Sequence, residues 1–288
     1  MSERANVLKA SLWMTGSIAS FTAMAIAGRE VSGELDTFEI MTFRSIVGVI
    51  VVLICGGMAG TLNQITRRHL GTHFIRNIGH FAGQNLWFYS LPLISLAQVF
   101  ALEFTAPLWV ILLSPLILGE RITPVRALAA IFGFIGILIV ARPTPETLEF
   151  GQLTAALAAI GFAISIMFTS KLTRTETITC VLFYLTTMQA AFGIICAGID
   201  GDIALPSLQA TPWLVLIGLA GLMGHFSLTN ALSIAPATVV VPFDFARLPL
   251  IALIGWLFYN EALELWVGVG ALVIFGANYL NIWGATRK

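Results

Sequence analysis

Long apolar runs alternate along this chain with short polar or Gly/Pro-rich breaks, and ten of the runs approach the roughly 20 residues that a helix needs to cross a bilayer. They occupy approximately residues 8–28, 37–57, 72–92, 95–118, 124–141, 150–171, 177–198, 212–232, 237–259 and 264–284. The connections are short, and the longest polar one, around Asp200 to Thr211, is too small to be a domain. The pattern predicts an all-α membrane protein of ten transmembrane helices. It also repeats. A shift of 141 residues lays Glu103 on Asp244, Phe104 on Phe245, Glu120 on Glu261 and Val99 on Val240. A shift one residue shorter lays Asp36 on Glu176, Thr37 on Thr177 and Phe43 on Phe183. The repeat is half the chain, which predicts two units, residues 1–142 and 143–288, of five helices each. Five is odd, so the second unit enters the membrane from the opposite side. Inverted repeats of this kind are a recurrent construction of secondary transporters, with the substrate site near mid-membrane between the halves.

Composition agrees with a membrane setting. Hydrophobic residues make up 58% of the chain and charged ones 10%, with mean hydropathy +0.91, whereas a soluble domain carries about 25% charged residues. A soluble enzyme domain is excluded, and a formal net charge of zero gives no field to draw nucleic acid. Lys and Arg collect in cytoplasmic loops. With both termini inside, the inner ends receive Arg4, Lys9, Arg67, Arg68, Arg76, Arg121, Arg126, Lys171, Arg174, Arg287 and Lys288, and the outer ends only Arg29 and Arg142. Arg4 and Lys9 precede an apolar run without a small-residue cleavage site, which reads as the first span and not as a removed signal peptide. Cys55, Cys180 and Cys196 lack CxxC or Cys/His spacing and read as packing residues. Neither a metal nor a cofactor is expected. The seven tryptophans fall mostly near span ends, where indoles form interfacial belts.

Lipid offers no water to an ionisable side chain, so each one within a span should face a partner or a wet cavity. Arg44, His80, Glu103, His225, Asp244 and Arg247 are such residues, accompanied by Gln84, Asn85, Tyr184, Gln189, Asn230 and Asn278. The 1.5 Å helical rise places Arg44 about 10 Å and Glu103 about 12 Å from the outer ends of their spans. His80, His225 and Asp244 each lie roughly 10–12 Å from the inner ends, with Arg247 a turn nearer the centre. Two polar clusters are expected: an outer pair of Arg44 with Glu103, and an inner group of Asp244, Arg247, His80 and His225. An ion pair that merely locks helices together satisfies the same residues. Glu103, Asp244 or a histidine can change charge and carry a proton; the arginines can hold acids ionised or attract an anionic substrate group. Phe81 and Phe88 flank Gln84 and Asn85, an apolar setting with a few polar groups of the sort that binds a small molecule, with helix packing as the rival. Pro107 and Pro249 should bend the fourth and ninth spans. At the turn after the fourth span, Thr123 is placed to cap the next helix and Pro124 to begin it; Glu120 reads as a local loop acid.

Three segments then carry a resemblance: FRSIVG at Phe43 to Gly48, LISLAQVFALEFTAPLWVILLSPLILGERIT at Leu93 to Thr123, and a weaker echo from Ile234 to Glu261. On these the chain resembles the EamA family of the drug/metabolite transporter superfamily over nearly its whole length. The resemblance implies a secondary carrier of the bacterial inner membrane, often an exporter of metabolites or amino acids, with a central cavity and with Arg44 and Glu120 as its marked positions. In the second repeat Tyr184 stands where the first has an arginine, and the turn reads NEALE instead of GER. The family also includes importers of riboflavin or S-adenosylmethionine. The expected function is export of a small polar or amphipathic metabolite by alternating access, with protons as the candidate coupling ion, by a monomer or homodimer. The alternatives are import of a vitamin or nucleotide-like compound, and a passive channel. No catalytic residue is expected, since no HExxH, Ser/His or paired-acid motif stands in a recognisable context.

Overall fold

The computed structural model describes residues 3–117, 119, 122–142, 150–199, 201–234, 243–244 and 246–286. Among them every regular element is helical: α1 Glu3–Val31, α2 Thr37–Met58, a 3₁₀ turn Leu62–Gln64, α3 Leu70–Ser90, α4 Leu96–Glu103, α5 Ala106–Ile117, α6 Pro124–Ala141, α7 Phe150–Leu172, α8 Ile178–Ala197, α9 Thr211–Ile234, α10 Arg247–Tyr259 and α11 Leu265–Thr286. Each of the ten expected runs holds a helix. Among the described residues six segments are long and apolar enough to cross a membrane, namely Leu8–Val31, Thr37–Met58, Leu96–Ile117, Phe150–Thr169, Ile178–Ala197 and Thr211–Ala231. The apolar stretches in α6, α10 and α11 are shorter, and α3 is long enough but too polar. Glu120 and Arg121 of the GER turn, and Phe245 of the repeat, lie outside the described residues.

Local chemistry sets the helix ends. Asp36 accepts from the Glu39 amide at 2.8 Å while the Glu39 carboxylate accepts from the Asp36 amide at 2.9 Å, a reciprocal cap that starts α2. Ser95 and Gln98 do the same for α4. Pro124 opens α6, where a missing N–H costs nothing. The fourth span breaks at Phe104–Thr105, because Pro107 has no amide to offer the carbonyl four residues back and its ring crowds it. Leu108 turns its amide to Thr105 (2.9 Å), and the freed Phe104 carbonyl accepts from Asn278 Nδ2 of α11 (2.9 Å). Pro115 likewise leaves the Ile111 carbonyl free, and the Ser114 hydroxyl donates to it at 3.0 Å. In a bilayer such internal partners are obligatory.

The packing is an exchange between the two halves of the sequence. α1 lies along α9 and α3 along α7, while α2 pairs with α8, α4 with α10 and α6 with α11. α3 and α7 touch backbone to backbone: a Cβ added to Gly161 would fall 2.7 Å from the Gly79 carbonyl oxygen and from Gly83 Cα. Surfaces are inverted relative to a soluble protein. On α2, Ile50 and Ile54 are 52% and 55% exposed, whereas Arg44, Ser45 and Gly48 on the opposite side are buried. Leu138, Phe258 and Leu272 are likewise exposed, forming an apolar coat that suits acyl chains and leaves the polar residues to the interior.

Candidate functional site

The site begins with α3. Arg76, Asn77, His80, Gln84 and Asn85 are all buried on this helix, and Arg76, His80 and Gln84 follow one another at single-turn spacing along one face. Arg76 donates from Nε to the Thr169 hydroxyl (3.1 Å) and from Nη1 to Asn77 Oδ1 (2.9 Å). Asn77 in turn reaches the His73 carbonyl at 2.8 Å and receives Gln189 of α8 on its own carbonyl at 2.9 Å. One turn along, the His80 ring meets the His225 ring of α9 with centroids 5.4 Å apart. A further turn along, the Gln84 amide oxygen accepts a hydrogen bond from Arg44 of α2. Sequence reasoning missed Arg76, placing it with the inner-end cations; the single-turn spacing of polar positions on α3 is the signal that finds it.

Arg44 is buried under Phe88, whose ring centre lies 5.9 Å from the guanidinium carbon, and its Nη1 approaches Met41 Sδ at 3.7 Å. Gly221 of α9 leaves the room: a Cβ there would fall 2.9 Å from Arg44 Nη2. The expected pair of Arg44 with Glu103 does not form. α2 packs on α8 and α9, whereas α4 packs on α10, so Glu103 instead meets Arg247, with Nη2 3.4 Å from Oε1. Glu103 also accepts from Trp87 Nε1 at 2.9 Å. Arg247 bonds Asp244 at 2.5 Å, so the two repeat-related acids, Glu103 and Asp244, converge on one guanidinium. Three rings enclose that cation, Phe21, Phe100 and Phe104, at 5.2, 5.3 and 5.1 Å from its central carbon.

The expected inner group of four is therefore divided. Asp244 and Arg247 belong with Glu103, while His80 and His225 form their own pair, and Phe21 stands against both, its ring 5.3 Å from that of His225. Phe81 turns away from the polar groups and packs on Phe38 (6.1 Å) and Phe192 (5.6 Å), as the packing alternative requires. Asn85 donates to the Phe81 carbonyl within its own helix (2.8 Å). Tyr184 packs its ring on His73 with centroids 4.5 Å apart and the planes tilted by 40°, and among the described residues no bond joins it to Arg44. Buried atoms without a protein partner cluster in this region: His80 Nε2, Asn85 Oδ1, Asp244 Oδ1 and Arg247 Nε. Two narrow clefts adjoin it, with room for little more than a water each. One runs between α2, α8 and α9 and is lined by Arg44, Ser45 and Gln189. The other runs between α3, α7, α8 and α9 and is lined by Arg76, Thr169 and His225. Among the described residues no group of three His, Cys, Asp or Glu side chains is placed to hold a metal ion.

At the end of the bundle where α1, α3 and α10 finish and α4 starts, Arg29 closes the interior. It donates to the carbonyls of Leu91 (2.7 Å) and Ile94 and to the Glu261 carboxylate, and Glu261 also caps the Leu96 amide at 2.9 Å. Tyr259 carries Arg29 on its ring face and donates its hydroxyl to Glu30 at 2.7 Å.

Comparison with known proteins gives a consistent picture. The profile of the EamA-like transporter family matches residues 8–142 and again residues 149–283. A riboflavin transporter of Brucella anthropi is 34% identical over 214 residues, covering 73% of this chain and 75% of its own length. A riboflavin transporter of Vibrio cholerae is 27% identical over 100% of this chain and 97% of its own. An S-adenosylmethionine uptake transporter of Rickettsia bellii is 27% identical over 96% of this chain and 94% of its own. A crystal structure at 19% identity superposes with a TM-score of 0.65 over 96% of this chain and 98% of that one, which speaks for the fold.

Proposed function

This chain belongs to the EamA-like transporter family, and on that footing we propose that it is a secondary carrier that imports a heteroaromatic, nucleoside-sized metabolite across the bacterial inner membrane. Transport of a small metabolite follows from the family and from relatives named for riboflavin and S-adenosylmethionine. Import, preferred here over the export expected from the sequence, draws its support from the word uptake in the Rickettsia bellii relative's name. An interior rich in aromatic rings beside amide, imidazole and guanidinium groups suits a flat, polar-edged solute.

The carrier reading proceeds from the exchange of helices between halves. On this reading ten spans, in two inverted units of five over residues 1–142 and 143–288, put both termini on one side, and the distribution of Lys and Arg makes that side the cytoplasm. α1 on α9 mirrors α3 on α7, since α7 is the counterpart of α1 and α9 that of α3; the pairs α2 with α8, α4 with α10 and α6 with α11 are each their own mirror. A pseudo-two-fold arrangement of this sort gives two end states of nearly equal energy, related by swapping the roles of the halves. In the state described, the Arg29–Glu261 contact closes the outer end. The observation that carries the mechanism is the meeting of Glu103 and Asp244 on Arg247. Two carboxylates facing one permanent cation leave one negative charge over, and a proton taken from outside and released inside would balance it.

The test is uptake of radiolabelled riboflavin and S-adenosylmethionine into proteoliposomes, with and without an inward proton gradient. Saturable uptake of at least one, trans-stimulated by unlabelled solute inside and raised by acid outside, is expected. Flux without saturation or counterflow would make the protein a channel, and indifference to the gradient would remove the proton from the mechanism.

A further inference from the structure

Every buried cation in this interior ought to have an anion, and two do not. Among the described residues the ion pairs are Arg29 with Glu261 and Arg247 with Glu103 and Asp244. Arg44 and Arg76 are 8% and 3% exposed, and each is held by neutral groups alone: Gln84 and the Met41 sulfur for Arg44, Asn77 and Thr169 for Arg76. A guanidinium carries five donors, so both have N–H groups to spare. An uncompensated ion inside a membrane protein is strongly unfavourable, and a residue kept only for packing would not require the charge. Arg247, enclosed by aromatic rings and met by two acids, shows a cation of this interior with its counter-charge in place.

The two arginines are ends of one feature. Arg76, His80 and Gln84 descend α3 turn by turn, and Gln84 holds Arg44, so His80 lies midway between the two cations. Both guanidiniums act electrostatically on each other and on the imidazoles of His80 and His225. His80 Nε2 is fully buried without a partner. Arg44 lines one of the two clefts, Arg76 and His225 the other.

We propose that this interval is an anion subsite: Arg44 and Arg76, with His80 between them, take the carboxylate or phosphate group of the transported solute. Planar guanidinium forks match either group with paired hydrogen bonds, and the aromatic neighbours Phe21 and Phe88 leave the rest of the solute an apolar flank. The inference rests on the carrier reading and narrows it, because it favours an anionic conjugate over a neutral vitamin.

Two matched pairs test it on the purified full-length protein, by thermal unfolding against ligand concentration: riboflavin against flavin mononucleotide, and decarboxylated S-adenosylmethionine against S-adenosylmethionine. The member of at least one pair that bears the phosphate or carboxylate group is expected to bind about tenfold or more tightly, as charge-assisted hydrogen bonds imply. In Arg44→Gln and Arg76→Gln the preference should shrink to about threefold or less, while the unliganded unfolding temperature holds or rises, since an unmatched buried charge has been removed. Equal binding within both pairs, no binding by any of the four, or a preference that survives both substitutions would overturn the subsite. If either glutamine variant fails to fold, the wild-type protein decides: an anionic preference that millimolar inorganic phosphate erodes supports the subsite, and one that phosphate leaves untouched overturns it. Phosphate alone stabilising as strongly as the conjugates would mean a free anion, and would overturn the assignment to the solute. Saturable riboflavin counterflow without any anionic preference would sink the subsite and leave the carrier standing; absence of counterflow with all four compounds would sink the carrier itself.

Discussion

Arg247 shows what a residue's depth in the membrane can reveal and what it cannot. The helical rise fixes how far Glu103, Arg44 and Arg247 lie from a span end, which is a height; their partners depend on the direction each faces, and that is decided by which helices pack. Because α4 lies on α10 and α2 does not, Glu103 meets Arg247 and Arg44 meets Gln84. The repeat was the better guide, since it already linked Glu103 to Asp244, the two acids now found on one cation. That arrangement predicts a non-additive mutant cycle. Glu103→Gln or Asp244→Asn alone leaves Arg247 one carboxylate, so each single variant should fold, with the acid stimulation of uptake flattened in whichever residue carries the proton. The double variant leaves a buried guanidinium with no anion and should lose about 3–5 kcal/mol, read as a fall in unfolding temperature well beyond the sum of the singles. A double variant as stable as either single would mean that the pairing contributes nothing. Gly221 supplies a second residue-scale test. Alanine there presses on the movable tip of Arg44 and makes an ordinary contact with Met24 Sδ, and should transport normally, while leucine fills the space of the guanidinium and should abolish transport without unfolding the protein; a fully active leucine variant would detach Arg44 from the candidate site.

At the scale of the element, proline punctuation was legible and polar helices were not. Pro107 announced the break in the fourth span, but nothing in the sequence said that Asn278, on the last helix, would satisfy the carbonyl it frees. α3 is so interrupted by Arg76, Asn77, His80, Gln84 and Asn85 that it falls short of the hydropathy of its neighbours, and that same feature gives the candidate site its polar groups. Replacing Asn278 with leucine removes the donor to the Phe104 carbonyl and should cost about 1–3 kcal/mol, seen as a lower unfolding temperature; an unchanged value would show that the break needs no cap. The contact at Arg29 is likewise a joint between elements, with Glu261 capping α4 and binding Arg29 of α1; on the proposed orientation it closes the outer end. Glu261→Ala loses a cap worth about 1 kcal/mol together with the ion pair, which should shift the population toward an outward-open state by roughly tenfold. Met24→Cys, buried on α1, reports this as faster labelling by a membrane-impermeant maleimide added from outside. Labelling no faster than with Glu261 intact would show that the end is held shut by other contacts.

For the molecule as a whole, two copies in sequence do not mean two independent bodies. The principal helix contacts run from one half to the other, α1 to α9, α3 to α7, α2 to α8, α4 to α10 and α6 to α11, so a half on its own has its packing surfaces turned toward a missing partner. The glycine contact of Gly161 with Gly79 and Gly83 belongs to this seam, and its close fit has no substitute within one unit. Periodicity could count the helices and the repeat could divide them, but both are properties of one half at a time, and the interleaving is a property of the pair. A chain split between Arg142 and Phe150 should therefore behave in a particular way. Residues 1–142 or 143–288 expressed alone are expected to be degraded in the membrane, whereas the two expressed together should assemble and recover substrate uptake. Because van der Waals fit drives helix association in lipid, Gly161→Leu in the second fragment should block that rescue even though each fragment still inserts. A first half that accumulates and unfolds cooperatively by itself would show instead that each unit is a self-sufficient fold, and the proposed alternation between two end states would then have to be sought elsewhere than in the seam.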